Sequence, residues 1–99
     1  MTWEPPAHVG GRPAHRLAEL RAPVWERQPR ETRRAFAYFC VYRDLPPDRR
    51  SVEAAARALG KSASYLGQIA TRMRWVDRVR SLDGDRERVR AEARAADVV

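Results

Sequence analysis

Short polar side chains between residues 62 and 71 have the types and spacing that can read the edges of DNA bases. Gln68 can form paired hydrogen bonds with adenine, and Ser64 and Thr71 can donate or accept at several bases. On a helix capped by Ser62, these side chains lie opposite an apolar stripe that includes Leu66. We therefore predict a base-reading surface made of Ser62, Ala63, Ser64, Gly67, Gln68 and Thr71.

Basic residues border this predicted surface on both sides. Lys61 precedes it, and Arg72 and Arg74 follow it, while Arg50 lies just ahead of the preceding helix. Contacts from such side chains to phosphate oxygens fix the register of a protein on a duplex without reading sequence. We predict Lys61, Arg72, Arg74 and Arg50 as phosphate contacts, and we expect Gly67 to allow close approach to DNA because it has no side chain.

Two short helices joined by a tight turn position these residues. Ser51 and Ser62 are each suited to cap a helix, and Gly60 stands where the first helix must end in a left-handed conformation. The order Ala56, Gly60, Leu66 puts a small residue at the helix crossing, a glycine at the bend and an aliphatic residue on the second helix. This spacing is typical of a helix-turn-helix, whose second helix enters the major groove.

Two further helices complete the predicted domain. One begins at Thr32 and ends before Pro46. The other begins near Trp75, and Gly84 ends or interrupts it. Its inward residues are predicted to be Trp75, Val76, Val79 and Leu82. The fold class is therefore all-α, a small three- to four-helix bundle that contains a helix-turn-helix.

The chain divides into three predicted parts. Residues 1–30 are rich in proline and form a disordered basic arm, with a weak helical tendency over residues 14–22. Residues 31–83 form the helix-turn-helix domain, and residues 84–99 form a helix-prone tail. Arginines of the arm could enter a minor groove, but the plainer interpretation, which we favour, is a solvated leader.

The charge of +7 is concentrated in the predicted domain, since residues 31–83 carry +5 and residues 84–99 carry none of the excess. This favours a polyanionic partner, nucleic acid before an anionic membrane surface. No apolar run is long enough to span a membrane. Together with the lack of a signal peptide, this predicts a cytoplasmic protein.

Enzymatic chemistry is not expected. The single Cys40 lies among apolar neighbours and is interpreted as a packing residue, which leaves no disulfide. His8 and His15 have no carboxylate or thiol at ligand spacing, so no metal site is predicted. No nucleophile motif or cofactor fingerprint is present, and we predict no cofactor.

Three stretches together resemble the DNA-binding region of phage and prophage terminase small-subunit-like proteins. They are "VWERQP" (24–29), "AFAYFCVYRDLPPDRRSVEAAARALGKS" (35–62) and "RWVDRVRSLD" (74–83). One small domain rarely binds DNA specifically without a second half-site, so we also predict a homo-oligomer. The resemblance implies a non-catalytic protein in the bacterial host cell. It would recognise the packaging site of a viral genome and deliver it to the terminase large subunit. "YLGQIA" departs from the family, which often has a tryptophan in this helix.

Two other functions fit the same residues. A prophage or bacterial transcriptional regulator would use the helix-turn-helix in the same way. A protein-interaction or scaffold module would use its arginines to meet an acidic partner.

Overall fold

The computed structural model describes residues 17–97 and places four α-helices in them. These are α1 (Arg33–Arg43), α2 (Val52–Leu59), α3 (Ala63–Arg72) and α4 (Trp75–Asp97). Helix α1 packs against α2, α2 packs against α3, and α4 contacts both α1 and α3. The predicted all-α fold class is confirmed, and none of the helices in this range is both long and apolar enough to cross a membrane.

Local capping explains where the first three helices begin. Thr32, Ser51 and Ser62 have extended backbones, and the hydroxyl of each accepts a hydrogen bond from the amide three residues later, at 3.0, 3.0 and 3.1 Å. Gly60 ends α2 with φ of +67°, a conformation that side-chain-bearing residues rarely adopt. The turn between α2 and α3 therefore has the sequence chemistry that was predicted for it.

The core is organised around the fully buried indole of Trp75 at the start of α4. Its ring centroid lies 5.9 Å from that of Phe39 and 5.1 Å from that of Tyr42, both on α1. Leu66 brings α3 into the same cluster. Because these contacts involve α1, α3 and α4, they fix the position of α3 against the rest of the domain.

The inward face of α4 differs from the prediction at two positions. Val76 was predicted to point inward but is 54 % exposed, whereas Arg78 is fully buried. The guanidinium of Arg78 donates two hydrogen bonds to Glu31, at 2.8 and 2.9 Å, and lies 3.8 Å from the ring centroid of Phe39. The buried charge is therefore compensated by a carboxylate and an aromatic face rather than excluded from the core.

The segment that precedes α1 is packed against the helices from residue 17 onward. Arg78 donates to the backbone carbonyls of Val24 at 2.7 Å and Glu26 at 3.0 Å. The amide of Ala18 donates to the carbonyl of Arg72 at the end of α3, at 2.9 Å. The predicted disordered arm, residues 1–30, is thus corrected for residues 17–30, which also contain no helix; its first sixteen residues lie outside the described part of the chain.

Helix α4 does not end at Gly84, contrary to one form of the prediction, and continues to Asp97. A glycine inside a helix costs only about 1 kcal/mol relative to alanine, and helix-favouring residues on both sides can outweigh it. Residues 86–97 are all exposed. The helix-prone tail is therefore a helical continuation of α4 that is not covered by the rest of the described chain.

Candidate nucleic-acid interface

The outward face of α3 carries the six residues that were predicted to read bases. Five are exposed, and Gly67 is half-buried. Ser62 uses its hydroxyl to cap α3, but the side chains of Ser64, Gln68 and Thr71 form no hydrogen bond with any described residue. This face therefore presents polar groups whose hydrogen-bonding capacity is not used within the domain.

Gly67 has no packing role within the described structure. A Cβ atom built on it would meet nothing within 4 Å, so no neighbouring element requires a glycine there. The residue nevertheless lowers the stability of α3, because glycine is a poor helix former. Gly67 therefore leaves the backbone of α3 open on this face, and Gly84 of α4 has equally open surroundings.

The basic residues at the two ends of α3 differ in whether an ion pair neutralises their charge. Lys61 is exposed and Arg72 is half-buried, and neither forms an ion pair with a described residue. Arg74 pairs with Asp77 at 3.1 Å and has φ of +57°, an uncommon conformation for a residue other than glycine. Lys61 and Arg72 thus offer unneutralised charge, while that of Arg74 is partly neutralised.

Arg50 does not belong to this surface, and its predicted phosphate contact is corrected. Its side chain is only 6 % exposed and bonds Asp83 at 2.8 Å. A second nitrogen donates to the carbonyl of Arg43 at 3.0 Å. Arg50 therefore ties the connection between α1 and α2 to α4, and its charge is not available to an outside anion.

Sequence reasoning missed the contribution of α1 to this side of the molecule. Tyr65 of α3 is 45 % exposed, and its ring lies edge-on to that of Tyr38 at 6.5 Å between centroids. Arg33 and Arg34 at the start of α1 are exposed and form no ion pair with a described residue. The available signal was the first turn of α1, which contains these two arginines and no acidic residue.

Potential metal ligands are dispersed within residues 17–97, and Cys40, the cysteine in that range, is partly buried. No group of three or more potential metal ligands occurs within residues 17–97, and the two histidines lie outside that range. Burial raises the pKa of the Cys40 thiol above its ordinary value, which lowers its thiolate fraction at neutral pH. This favours the interpretation of Cys40 as a packing residue rather than a nucleophile.

Comparison of the chain with family models, with curated proteins and with solved structures gave no match. The resemblance to terminase small-subunit-like proteins therefore depends on the three sequence stretches alone.

Proposed function

We propose that this protein binds double-stranded DNA by placing the outward face of α3 in the major groove. The observation that carries the proposal is the state of that face: exposed polar side chains without internal partners, around a glycine where an added Cβ atom would meet no described residue. A groove about 12 Å wide accepts one helix, and Gln68 and Ser64 can bond base edges within it. Lys61 and Arg72 would bind phosphates on either side.

The biological role that we propose first is phage-type recognition of a packaging site in a bacterial host cell. Its partners would be further copies of the chain and a terminase large subunit, and the protein would have no catalytic activity of its own. A transcriptional regulator is the alternative and would use the same surface. The resemblance favours the first role, and both roles require sequence-specific binding to duplex DNA.

A selection of duplexes from a random pool, followed by titrations of the selected duplex and of random DNA, tests the proposal. Gln68→Ala should lower the ratio of the two affinities by about 5- to 100-fold, the loss expected for one good base contact. Lys61→Gln should weaken both affinities equally and make the salt dependence shallower by about 0.9 log–log units. Ser81→Ala and Arg86→Gln, two exposed positions on α4, are the matched controls.

Two results would count against the proposal. If the protein bound an acidic polypeptide at moderate salt but did not bind duplex DNA, the protein-interaction alternative would replace it. If Gln68→Ala weakened binding to all duplexes equally, α3 would not read bases, and the surface would be a nonspecific one.

A further inference from the structure

Three arginines from separate parts of the chain line one groove beside the end of α3. Arg21 comes from the segment before α1, Arg30 from the turn that leads into α1, and Arg72 from the last turn of α3. None of the three forms an ion pair with a described residue. The groove therefore brings Arg72 next to two arginines that both precede α1 in the sequence.

The segment before α1 carries Arg21 and forms one wall of the groove. Hydrogen bonds to the buried Gln28 hold this wall in place. Gln28 is only 4 % exposed, its Oε1 accepts from the amide of Arg21 at 2.6 Å, and its Nε2 donates to the carbonyl of Arg21 at 3.1 Å. The bond from Ala18 to the carbonyl of Arg72 joins this wall directly to α3. Because both ends are fixed, the guanidinium of Arg21 projects from an ordered backbone, which lowers the entropic cost of binding.

Two carboxylates also line the groove, and only one of them is already paired with an arginine in the core. Both oxygens of Glu31 bond Arg78 inside the core, and its side chain is fully buried. Glu19 is exposed and is the only other carboxylate among the lining residues. Among the residues that line the groove, three arginines thus outnumber the single carboxylate that is not already engaged in the core.

The positive charge next to the groove is also unfavourable for the domain when no anion is bound. Arg33 and Arg34 occupy the first turn of α1, where the helix dipole disfavours cations. No acidic residue in that turn offsets them. An anion bound at this end of α1 would relieve the repulsion among these groups.

We propose that this groove binds the phosphodiester backbone of the duplex whose bases face α3. The inference rests on the proposed function and deepens it, since Arg72 belongs to both the groove and the border of the base-reading face. Guanidinium groups match phosphate oxygens with two parallel hydrogen bonds, and several of them in one groove favour consecutive phosphates over a single small anion. The groove would set the position of the backbone, and α3 would read the bases beside it.

The double variant Arg21→Gln/Arg30→Gln tests the groove and leaves α3 intact. It should weaken binding to selected and random duplexes alike by about tenfold or more, and it should make the log–log salt slope shallower by about 1.8 units. The preference for the selected sequence should not change, because phosphate contacts carry no base information.

The matched control is Arg80→Gln/Arg86→Gln, which removes the same charge from exposed positions of α4 that form no ion pair with described residues. It should change the slope by less than about 0.5 units, because it alters only the general field of the protein. Arg21→Lys/Arg30→Lys should restore the slope but only part of the affinity, since lysine retains the charge without the paired geometry. Circular dichroism and urea midpoints establish that each variant is folded.

The outcomes separate the groove from the function of α3. If the groove variant behaves like the α4 control while Gln68→Ala loses sequence preference, the groove inference is wrong and the proposed function stands. If the groove variant loses binding while Gln68→Ala and Lys61→Gln do not, the backbone groove is supported and the role of α3 is wrong. If the wild-type protein binds no duplex at low salt, both are wrong.

Discussion

Two regions of this molecule are rich in arginine, but they differ in how many of the arginines form ion pairs. In the tail (residues 85–97), Arg88 bonds Asp85 and Glu92, both at 2.8 Å, and Glu87 pairs with Arg90 and Arg94 at 3.5 and 3.1 Å. On the side that we propose binds DNA, called the binding side (residues 17–34 and 61–74), most cations form no ion pair with a described residue; they are Arg21, Arg27, Arg30, Arg33, Arg34, Lys61 and Arg72. In the tail only Arg86 lacks an ion pair with a described residue, so the two regions differ in the share of their cations that is neutralised.

The tail pairs also explain how a helix can persist without a packing partner. Oppositely charged residues three or four positions apart stabilise an exposed helix, and alanines among them add intrinsic propensity. Val89, the one large apolar residue beyond Leu82 within the described tail, is 51 % exposed. The tail is thus stabilised locally, whereas the binding side depends on contacts between distant parts of the chain.

The largest expected effect concerns the buried pair that supports the binding side. Glu31→Gln leaves the buried guanidinium of Arg78 without its carboxylate and should lower the free energy of unfolding by about 3–5 kcal/mol. Urea titration followed by circular dichroism measures this loss. The control is Glu87→Gln in the tail, which should leave the midpoint nearly unchanged because exposed pairs contribute little. Equal effects of the two variants would contradict the contrast between the regions.

The next effect compares two glycines inside helices. Gly67→Ala and Gly84→Ala should each raise the free energy of unfolding by up to about 1 kcal/mol, since neither added methyl group meets an obstacle. Only Gly67→Ala should weaken DNA binding, by about tenfold, because its methyl group would stand between the helix and a base edge. If Gly67→Ala bound as tightly as the wild type, close approach of DNA at this position would be ruled out.

A smaller effect is expected when the tail arginines are released from their partners. Asp85→Asn/Glu87→Gln/Glu92→Gln should raise affinity for all duplexes by about threefold through the general field, without changing sequence preference. Binding titrations at two salt concentrations measure it, and circular dichroism reports any loss of helix in the tail. A gain as large as the loss in the groove variant would mean that the position of the charge does not matter.

The smallest effect is expected from removing the tail. A chain that stops after Arg86 keeps the buried Leu82 and the hydrogen bond that Arg50 donates to Asp83. It should bind DNA within about twofold of the full chain at physiological salt, where distant charges are screened. Light scattering on both chains completes the measurement. If the truncation converted an oligomer to a monomer and abolished binding, the tail would be an interface rather than a solvated helix.

The elements defined by local chemistry were the ones that the sequence predicted well. Thr32, Ser51 and Ser62 begin helices, and Gly60 ends one, because each of these preferences is set by a few neighbouring residues. Gly84 was misjudged because a small propensity cost was given more weight than the helix formers around it. The outward face of α3 followed from the same local periodicity.

The errors at Arg50 and Val76, and the burial of Arg78 that was not foreseen, have a different cause. The partner of Arg78 is Glu31, 47 residues away, and the partner of Arg50 is Asp83, 33 residues away. Helical periodicity assigns an arginine to the surface unless its partner is known, and the sequence alone does not give the partner. The groove was missed for the same reason, because its three arginines come together only through tertiary contacts.

The hydrogen bond between the amide of Ala18 and the carbonyl of Arg72 provides a single proton that reports on the junction of two chain segments. Its exchange with deuterated solvent requires the leading segment to lift away from the last turn of α3. If the exchange of this amide becomes slower when a duplex is added, DNA binding stabilises the contact between the leading segment and α3. The effect is measured at one assigned resonance and without any substitution.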